Sequence, residues 1–262
     1  MKVLFSVLPS LLLVLFIVTV WQLTEDAINH ERVARGETSL EFFIPTPRTI
    51  IEEGWNARDT IWRAMSATLQ KSFVGFMLGT VAAVIIVILY DLFPIIRTTT
   101  FPIAFAIQSF PIIGLAPAII LLFGQDSFLS FVIVSAILTY FPILLSLDEH
   151  FNQLDNDYQQ IAFIYNATRW QVLRFFKFPL SVSSFVTALK LAAPASIVGA
   201  TIGEWIGSSD GIGRLITVSL YQLRPGVLYA CLVLLALVSA STVLIIKVLE
   251  FVVFPWMRHE RA

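Results

Sequence analysis

The chain has 262 residues, of which 57% are hydrophobic and only 13% are charged, whereas about 25% of the residues of a typical soluble domain are charged. This composition excludes an ordinary soluble domain and predicts an integral membrane protein. The formal net charge of −1 points to neither a nucleic acid nor a strongly acidic partner, and the lone cysteine, Cys231, excludes a disulfide framework or a cysteine metal site.

Six apolar stretches are long enough to cross a membrane, because about twenty helical residues cover about 30 Å of hydrocarbon. They predict an all-α integral membrane protein with six transmembrane helices. The first stretch could instead be a signal peptide, but it is longer than a signal core and no small-x-small cleavage site follows it, so we expect a retained anchor. The six stretches are residues 3–23, 68–89, 98–123, 128–147, 185–205 and 227–254.

A polar stretch follows the first predicted span, and we interpret it as an external loop. Apolar residues, including Trp55 and Trp62, recur at helical spacing in its second half. This pattern predicts a helix along the membrane interface, while an ordinary amphipathic helix packed on the protein fits equally well. The chain thus divides into an N-terminal transmembrane helix, an external loop with the interfacial helix, a core that contains the remaining five spans, and a short tail, at residues 1–24, 25–66, 67–255 and 256–262.

The third predicted span contains Pro102, Pro111, Gly114 and Pro117. Proline lacks a backbone donor and clashes with the preceding turn, so this span is predicted to be kinked or broken. Broken spans often line a transport path, although a kink can also serve packing alone. Six residues of spans three to five are therefore candidates for a translocation pathway: Gln108, Ser109, Pro111, Ser196, Thr201 and Glu204.

Two interpretations without a role in transport also fit these candidates. Serine and threonine in a span more often bond to their own helix than to a solute. An acid at the end of a span, such as Glu204, more often extends to water than forms a gate.

The sequence argues against an enzyme. Gly207-Ser-Ser-Asp-Gly211 matches a Gly-x-Ser-x-Gly nucleophile motif, which on its own would indicate an intramembrane serine protease. However, the three histidines, His30, His150 and His259, all fall outside the predicted spans, so no imidazole could activate Ser209 and no metal-ligand spacing is present. The chain has no Gly-Lys pair and hence no phosphate-binding loop, so any ATP must be bound by another subunit. No cofactor is expected.

A long polar interruption separates the fourth and fifth predicted spans, at residues 148–190. A loop between two spans needs only a few residues, so about forty residues of amphipathic, helical sequence predict a docking surface for a partner protein.

Within this interruption, the segment from Gln160 to Pro179 resembles the cytoplasmic coupling motif of binding-protein-dependent ABC importer permeases. Asn166 and Pro179 keep the family's step of thirteen residues, and Ala-Thr-Arg-Trp-Gln at residues 167–171 is similar to the Ala-Ser-x-Trp-Gln of that motif. Stretches at residues 43–48, 67–76, 117–124, 140–144 and 206–216 resemble the nitrate, sulfonate, taurine and bicarbonate branch, which includes permeases for thiamine-related pyrimidines.

The resemblance implies a type I ABC importer permease in the bacterial inner membrane, with a cytoplasmic tail. It implies that ABC ATPase subunits, a periplasmic binding protein and a second permease copy are partners. The implied solute is a nitrate-, sulfonate- or taurine-type anion, or alternatively a thiamine-related pyrimidine or another vitamin precursor. The ATPase-coupling residues that it implies are Gln160, Ala162, Asn166, Arg169, Trp170 and Pro179.

The coupling motif departs from the family pattern at two positions. Asn166 stands where the family has glycine, and because asparagine tolerates a left-handed backbone next best after glycine, we expect the bend to survive. Gln160 stands where the family has an acid, so it keeps a hydrogen bond but loses an ion pair, which Asp155 or Asp157 could replace. A degenerate permease subunit is the alternative.

Overall fold

The computed structural model describes Phe16, residues 19–24 and residues 45–253, with the backbone alone at residues 155–163. Throughout this part of the chain the secondary structure is helical. The helices are α1 (Pro47–Asn56), α2 (Arg58–Leu92), α3 (Pro94–Ser109), α4 (Ile112–Phe123), α5 (Phe128–Ile164), α6 (Arg169–Val172), a π-helical turn (Leu173–Lys177), α7 (Phe178–Leu180), α8 (Val182–Gly207), α9 (Ile212–Tyr221) and α10 (Pro225–Val253).

Four helices are long and apolar enough to cross a membrane among the described residues, and α3 with α4 forms a fifth candidate. The four lie in α2, in residues 128–154 of α5, in α8 and in α10. They match the second, fourth, fifth and sixth predicted spans. The first predicted span falls mostly outside the described residues, as does the predicted tail at residues 256–262.

The predicted break in the third span is confirmed. α3 and α4 meet at an angle of 102°, and the junction is Phe110-Pro111, with Phe110 in an extended conformation (ψ 134°). A residue that precedes proline is pushed out of the helical region, and Pro111 has no N–H to continue the ladder. Pro102 and Pro117 lie inside the two helices without ending them.

The chain divides into two compact units, Met1–Ala64 with Leu215–Leu234 and Met65–Arg214 with Leu235–Ala262. In the first unit, α1 begins at Pro47, and the hydroxyl of Thr46 caps it by accepting from the Thr49 N–H at 3.2 Å. α1 packs closely on the start of α10, because a methyl group on Gly54 would lie 2.9 Å from the Ala230 methyl.

The predicted interfacial helix is divided between two helices. α1 ends at Asn56, and from Arg58 onward the chain belongs to α2, whose 35 residues extend about 52 Å at about 1.5 Å per residue. α2 thus begins inside the stretch predicted as an external loop. Trp55 and Trp62 are both exposed.

The core of the second unit is formed by α2, α5 and α8, which approach closely through small residues. The sequence places Gly75 and Gly79 four residues apart in the second span, a spacing that predicts a close helix contact. This contact is confirmed: a methyl group on Gly75 would lie 2.4 Å from the Ser135 side chain, and one on Gly79 would lie 2.7 Å from Thr139. From the other side, a methyl group on Gly199 would lie 2.7 Å from the Ser135 Cα.

Candidate functional site

The predicted coupling segment is a helical extension of a membrane span. α5 has 37 residues and therefore extends about 55 Å, well beyond its apolar part, before it ends at Ile164. The chain then turns through Asn166, whose φ is 47°, so the predicted left-handed bend is present. We call residues 165–181 the coupling segment.

The second half of the coupling segment starts with a capped helix. Thr168 and Gln171 form a capping box, in which the Gln171 N–H donates to the Thr168 hydroxyl at 3.3 Å and the Thr168 N–H donates to the Gln171 side chain at 2.8 Å. Such reciprocal bonds satisfy two backbone donors that a helix start leaves open. The chain then passes through the π-helical turn and α7 into α8.

The inner side of the coupling segment is fixed to the membrane helices. Leu173 is fully buried in the core formed by α2, α5 and α8. The ammonium of Lys177, also buried, pairs with the carboxylate of Asp91 near the end of α2 and lies 5.6 Å from the centre of the Phe151 ring. Arg169 Nη1 donates to the Asp91 carbonyl oxygen at 3.3 Å. The coupling segment is thus held to the end of α2 by two side chains and a packed leucine.

The outer side of the coupling segment presents apolar and aromatic residues. Trp170 is 52% exposed, and Ile164, Tyr165 and Phe175 are more exposed still. Pro179 is exposed as well, whereas the side chains of Gln160 and Ala162 fall outside the described part of the structure. Exposed aromatic groups in a polar loop are typical of a protein-binding surface.

A second ion pair braces the same end of the molecule. The guanidinium of Arg97, in the first turn of α3, donates from Nε and Nη2 to the two carboxylate oxygens of Asp148 at 2.7 and 2.9 Å. This bidentate pair ties α3 to α5. The sequence alone assigns no role to the four residues of these two ion pairs, Asp91, Lys177, Arg97 and Asp148. Their position at the ends of apolar stretches is the sequence feature that indicates a structural role for them.

The N-terminal half of α2 carries a buried charged cluster, which we call the Lys71–Glu204 cluster. Glu204 Oε1 accepts from Lys71 Nζ at 3.0 Å, with both side chains at most 6% exposed. Glu204 Oε2 accepts from the Thr68 hydroxyl at 2.8 Å and from the Gly213 N–H at 3.1 Å. Lys71 also contacts the Ser208 hydroxyl at 3.4 Å and pairs with Asp210. The cluster comprises Thr68, Lys71, Glu204, Ser208 and Asp210.

The expectation that Glu204 extends to water is therefore wrong. Its carboxylate is completely buried because Lys71, Thr68 and a backbone N–H together replace the hydrogen bonds of water. The partner Lys71 is 133 residues away in sequence, which is why inspection of the span end alone could not find it.

Two glycines after α8, Gly211 and Gly213, lie where a side chain would collide with the Glu204 carboxylate or with the backbone of α8. Gly211 has a φ of 99°, and a methyl group there would lie 2.2 Å from the Glu204 carboxyl carbon. A methyl group on Gly213 would lie 2.2 Å from the Thr201 carbonyl oxygen. The glycine-rich turn thus closes over the buried charge instead of forming a flexible loop.

Among the described residues, the hydrogen-bond partner of the Ser209 side chain is an acid, Asp126. Its hydroxyl donates to Asp126 Oδ2 at 2.6 Å and its N–H donates to Asp126 Oδ1 at 2.8 Å. These two hydrogen bonds lower the pKa of the Asp126 carboxyl. Of the three histidines only His150 belongs to the described residues, and its ring bonds to the Leu180 carbonyl oxygen in the coupling segment.

The remaining pathway candidates fall into two groups. Gln108, Ser109 and Pro111 lie at the bend between α3 and α4, beside an open cavity of about 500 Å³ that Ser109 and Pro111 help to line. Ser196 and Thr201 lie on α8 and donate to Ala193 and Ile197, and Ser109 donates to Phe105. All three hydroxyls thus bond to their own helices. The structure does not bring the two groups together in one site.

Comparison with known proteins gives the family. Residues 75–259, more than half of the chain, match the binding-protein-dependent transport system inner membrane component. The chain is 26% identical over 262 residues to the formylaminopyrimidine transport permease protein ThiX of Halalkalibacterium halodurans, covering 99% of this chain and 100% of that protein. It is 27% identical over 217 residues to the riboflavin transport system permease protein RibX of Chloroflexus aurantiacus, covering 82% and 81%.

Two further similarities are weaker. The chain is 21% identical over 215 residues to the putative aliphatic sulfonates transport permease protein SsuC of Bacillus subtilis, covering 81% and 78%. A solved structure of the MetNI methionine ABC transporter, in an inward-facing conformation, shares the fold with a TM-score of 0.54 at 18% identity, over 75% of this chain and 97% of that one. Membership of the family implies an ABC ATPase and a binding protein as partners. The chain therefore belongs to the inner membrane components of binding-protein-dependent transport systems, as a multi-pass transport subunit of an ABC importer.

Proposed function

We propose that the coupling segment is the surface on which the ATPase subunit docks and through which its movement reaches the membrane helices. The single observation that carries this proposal is the two-sided build of the segment. Its outer side exposes Trp170, Tyr165 and Phe175, while its inner side is fixed by Leu173 and Lys177. A docking surface that transmits force needs both a binding face and a rigid attachment.

The movement would enter the membrane through α2. This helix is held to the coupling segment at Asp91, and at Lys71 it is held both to Glu204 in α8 and to Asp210 in the turn that follows α8. The two points lie about 30 Å apart along the helix axis, at about 1.5 Å per residue, which is about the thickness of the hydrocarbon core. α2 therefore connects the two sides of the membrane as one continuous helix, and two copies of the permease, which we propose as a homodimer, would enclose the pathway between them.

The docking proposal is tested by co-purification. We expect Trp170→Asp to abolish co-purification of the permease with its ATPase subunit, because an aspartate cannot be buried in an apolar interface without a partner. Trp170→Phe keeps the aromatic face and should retain most of the binding. If the aspartate variant binds the ATPase as well as the wild type does, docking at this surface is excluded.

Catalysis of ATP hydrolysis belongs to the partner in this proposal. The permease purified without other subunits should release no phosphate from ATP, because the chain contains no Gly-Lys pair and hence no phosphate-binding loop. Turnover that persists in a preparation shown by mass spectrometry to be free of ATPase would contradict the assignment.

For the solute we favour a small neutral heterocycle of the pyrimidine type. The match to a formylaminopyrimidine permease covers both chains end to end. In addition, two lysines of the spans are already balanced, Lys71 by Glu204 and Lys190 by Glu250, so neither offers an uncompensated charge to an anion. The second candidate, a sulfonate-type anion, is supported by the more distant SsuC similarity.

The two candidates are separated by reconstitution. The permease, its ATPase and its binding protein are placed in liposomes, and ATP hydrolysis is measured with an aminopyrimidine, taurine or nitrate present. We expect only the aminopyrimidine to stimulate hydrolysis. Stimulation by taurine or nitrate instead would transfer the assignment to the anion while leaving the docking proposal intact.

A further inference from the structure

A polar cavity of about 410 Å³ lies behind the coupling segment, within the size range of small-ligand sites. Its walls come from the end of α2, the start of α3, the part of α5 around residues 148–152, and the coupling segment. Five charged residues line it: Arg97, Arg169 and Lys177 carry positive charge, and Asp91 and Asp148 carry negative charge. Three positive charges against two negative charges leave the cavity with a net charge of +1.

The excess charge is located on Arg169. Arg97 is paired with Asp148, and Lys177 is paired with Asp91. Arg169 donates from Nη1 to a backbone carbonyl oxygen. Among the residues whose side chains are described, no carboxylate lies within ion-pair distance of its guanidinium. The planar fork of an arginine matches the oxygens of a phosphate group, so the cavity is suited to a single phosphate monoanion.

An apolar cavity of about 230 Å³ adjoins the polar one. The two share Val87 and Phe151 as wall residues. Its lining is aliphatic and aromatic except for Ser181, which is 3% exposed. The Ser181 hydroxyl is buried and has no hydrogen-bond partner among the described atoms. A buried donor without an acceptor is costly, and it indicates that an acceptor group occupies this cavity in the membrane.

The depth of the two cavities is set by the spans that form them. Their walls come from the ends of α2 and α5 and the start of α8, at the junction between apolar spans and the polar coupling segment. This is the level at which phospholipid headgroups meet acyl chains. A phosphate site and an apolar slot therefore lie next to each other at the depth where a phospholipid carries both groups.

We propose that these two cavities bind one anionic phospholipid on the coupling side of the membrane. The phosphate lies in the polar cavity against Arg169, an acyl chain occupies the apolar cavity, and an ester carbonyl oxygen accepts from the Ser181 hydroxyl. The lipid then fills the space between the coupling segment and the ends of α2 and α5. The site does not depend on which solute the permease carries.

The lipid is distinguished from a soluble phosphate by direct binding measurements. The full-length protein is purified in detergent, delipidated and titrated by native mass spectrometry with phosphatidylglycerol, with phosphatidylcholine of the same acyl chains, and with glycerol 3-phosphate. We expect one phosphatidylglycerol to bind at least about tenfold more tightly than the other two probes. The quaternary ammonium of phosphatidylcholine cancels the net negative charge that Arg169 attracts, and glycerol 3-phosphate lacks the acyl chain that the apolar cavity buries.

Matched variants locate the site. Arg169→Gln should weaken phosphatidylglycerol binding about tenfold, whereas Arg174→Gln, which removes a charge from the same segment but not from the cavity wall, should leave it unchanged. Val182→Phe, which fills the apolar cavity, should weaken phosphatidylglycerol but not glycerol 3-phosphate. If the Val182 variant does not fold, the wild-type comparison of lipid with glycerol 3-phosphate gives the same information.

Three results would overturn the proposal. Equal binding of phosphatidylcholine would remove the role of the net charge. Equal binding of glycerol 3-phosphate would reduce the site to a soluble phosphate site. Equal loss in the Arg169 and Arg174 variants would show that the lipid responds to the general charge of the coupling segment and does not occupy this cavity.

Discussion

Replacing Lys71 by methionine tests the energetic role of the Lys71–Glu204 cluster. The two side chains are similar in length, so the substitution removes the positive charge while largely preserving the packing of the aliphatic stem. It leaves Glu204, which is 0% exposed, without the ion pair at 3.0 Å. The carboxylate retains two donors, the Thr68 hydroxyl and the Gly213 N–H.

The expected loss of folding stability in Lys71→Met follows from these contacts. Removing one partner of a buried ion pair costs about 3–5 kcal/mol, because the remaining charge is buried without compensation. The two donors that remain on Glu204 place the loss near the lower end, at about 3 kcal/mol. For a chain of this size, each kcal/mol lowers the unfolding midpoint by about 2–4 °C, so Lys71→Met should lower it by about 6–12 °C.

The double variant Lys71→Met/Glu204→Gln isolates the charge. Glutamine keeps an acceptor for the Thr68 hydroxyl or the Gly213 N–H but carries no charge, so the double variant should be more stable than Lys71→Met alone. Thermal unfolding of the purified proteins in detergent, followed by circular dichroism, measures both changes. Lys247→Met, the same substitution at an exposed position on α10, is the control and should melt like the wild type.

The reasoning would be refuted by either of two outcomes. A midpoint for Lys71→Met within about 1 °C of the control would mean that burying the unpaired Glu204 carboxylate has no cost, contrary to the expected loss. A double variant no more stable than Lys71→Met would mean that the unpaired Glu204 charge is not the source of the loss.

Three other substitutions probe backbone and hydroxyl groups. Gly211→Ala should lower the unfolding midpoint by several degrees, because a positive φ costs an alanine about 1–3 kcal/mol and the new methyl group would collide with Glu204. The control is Gly114→Ala, which should leave the midpoint unchanged because nothing lies within 4 Å of the new methyl group. Equal effects of the two substitutions would contradict the crowding at the turn. Asn166→Val should weaken co-purification with the ATPase, because valine disfavours the φ of 47° at this position. Asn166→Gly should preserve co-purification. Intact binding by the valine variant would argue against a role for the bend. Ser209→Ala should leave solute uptake intact, because the hydroxyl donates to the carboxylate of Asp126 and not to a base. Complete loss of uptake would reopen the protease interpretation.

The sequence predicted those features that depend on neighbours within one helix or turn. Apolar stretches of about twenty residues identify spans because a backbone in hydrocarbon must satisfy its hydrogen bonds internally. The break at Pro111 follows from the missing N–H, and the left-handed turn at Asn166 follows from the tolerance of asparagine for positive φ. The position of the coupling segment between two spans belongs to the same class of local information.

The sequence was less informative about where helices begin and end. The amphipathic pattern before the second span predicts one helix, either along the membrane interface or packed on the protein, yet the stretch is divided at Ala57 and Arg58 already begins α2. Similarly, α5 continues to Ile164 without a break at the polar residues that follow its apolar part. Hydrophobicity marks where the bilayer ends, but a helix can continue into water as long as no residue breaks its hydrogen-bond ladder.

Only the tertiary structure decided how the charges are used. Glu204 and Lys71 are 133 residues apart in the chain, as Lys177 and Asp91 are 86 apart, and no local pattern connects either pair. The sequence alone therefore determined that this is a multi-span membrane protein with a long helical segment between two of its spans. The packing of α2 against α5 and α8 decided that Lys71 with Glu204 and Lys177 with Asp91, which singly would favour water, are buried as pairs, because a charge can leave water only where folding supplies its partner.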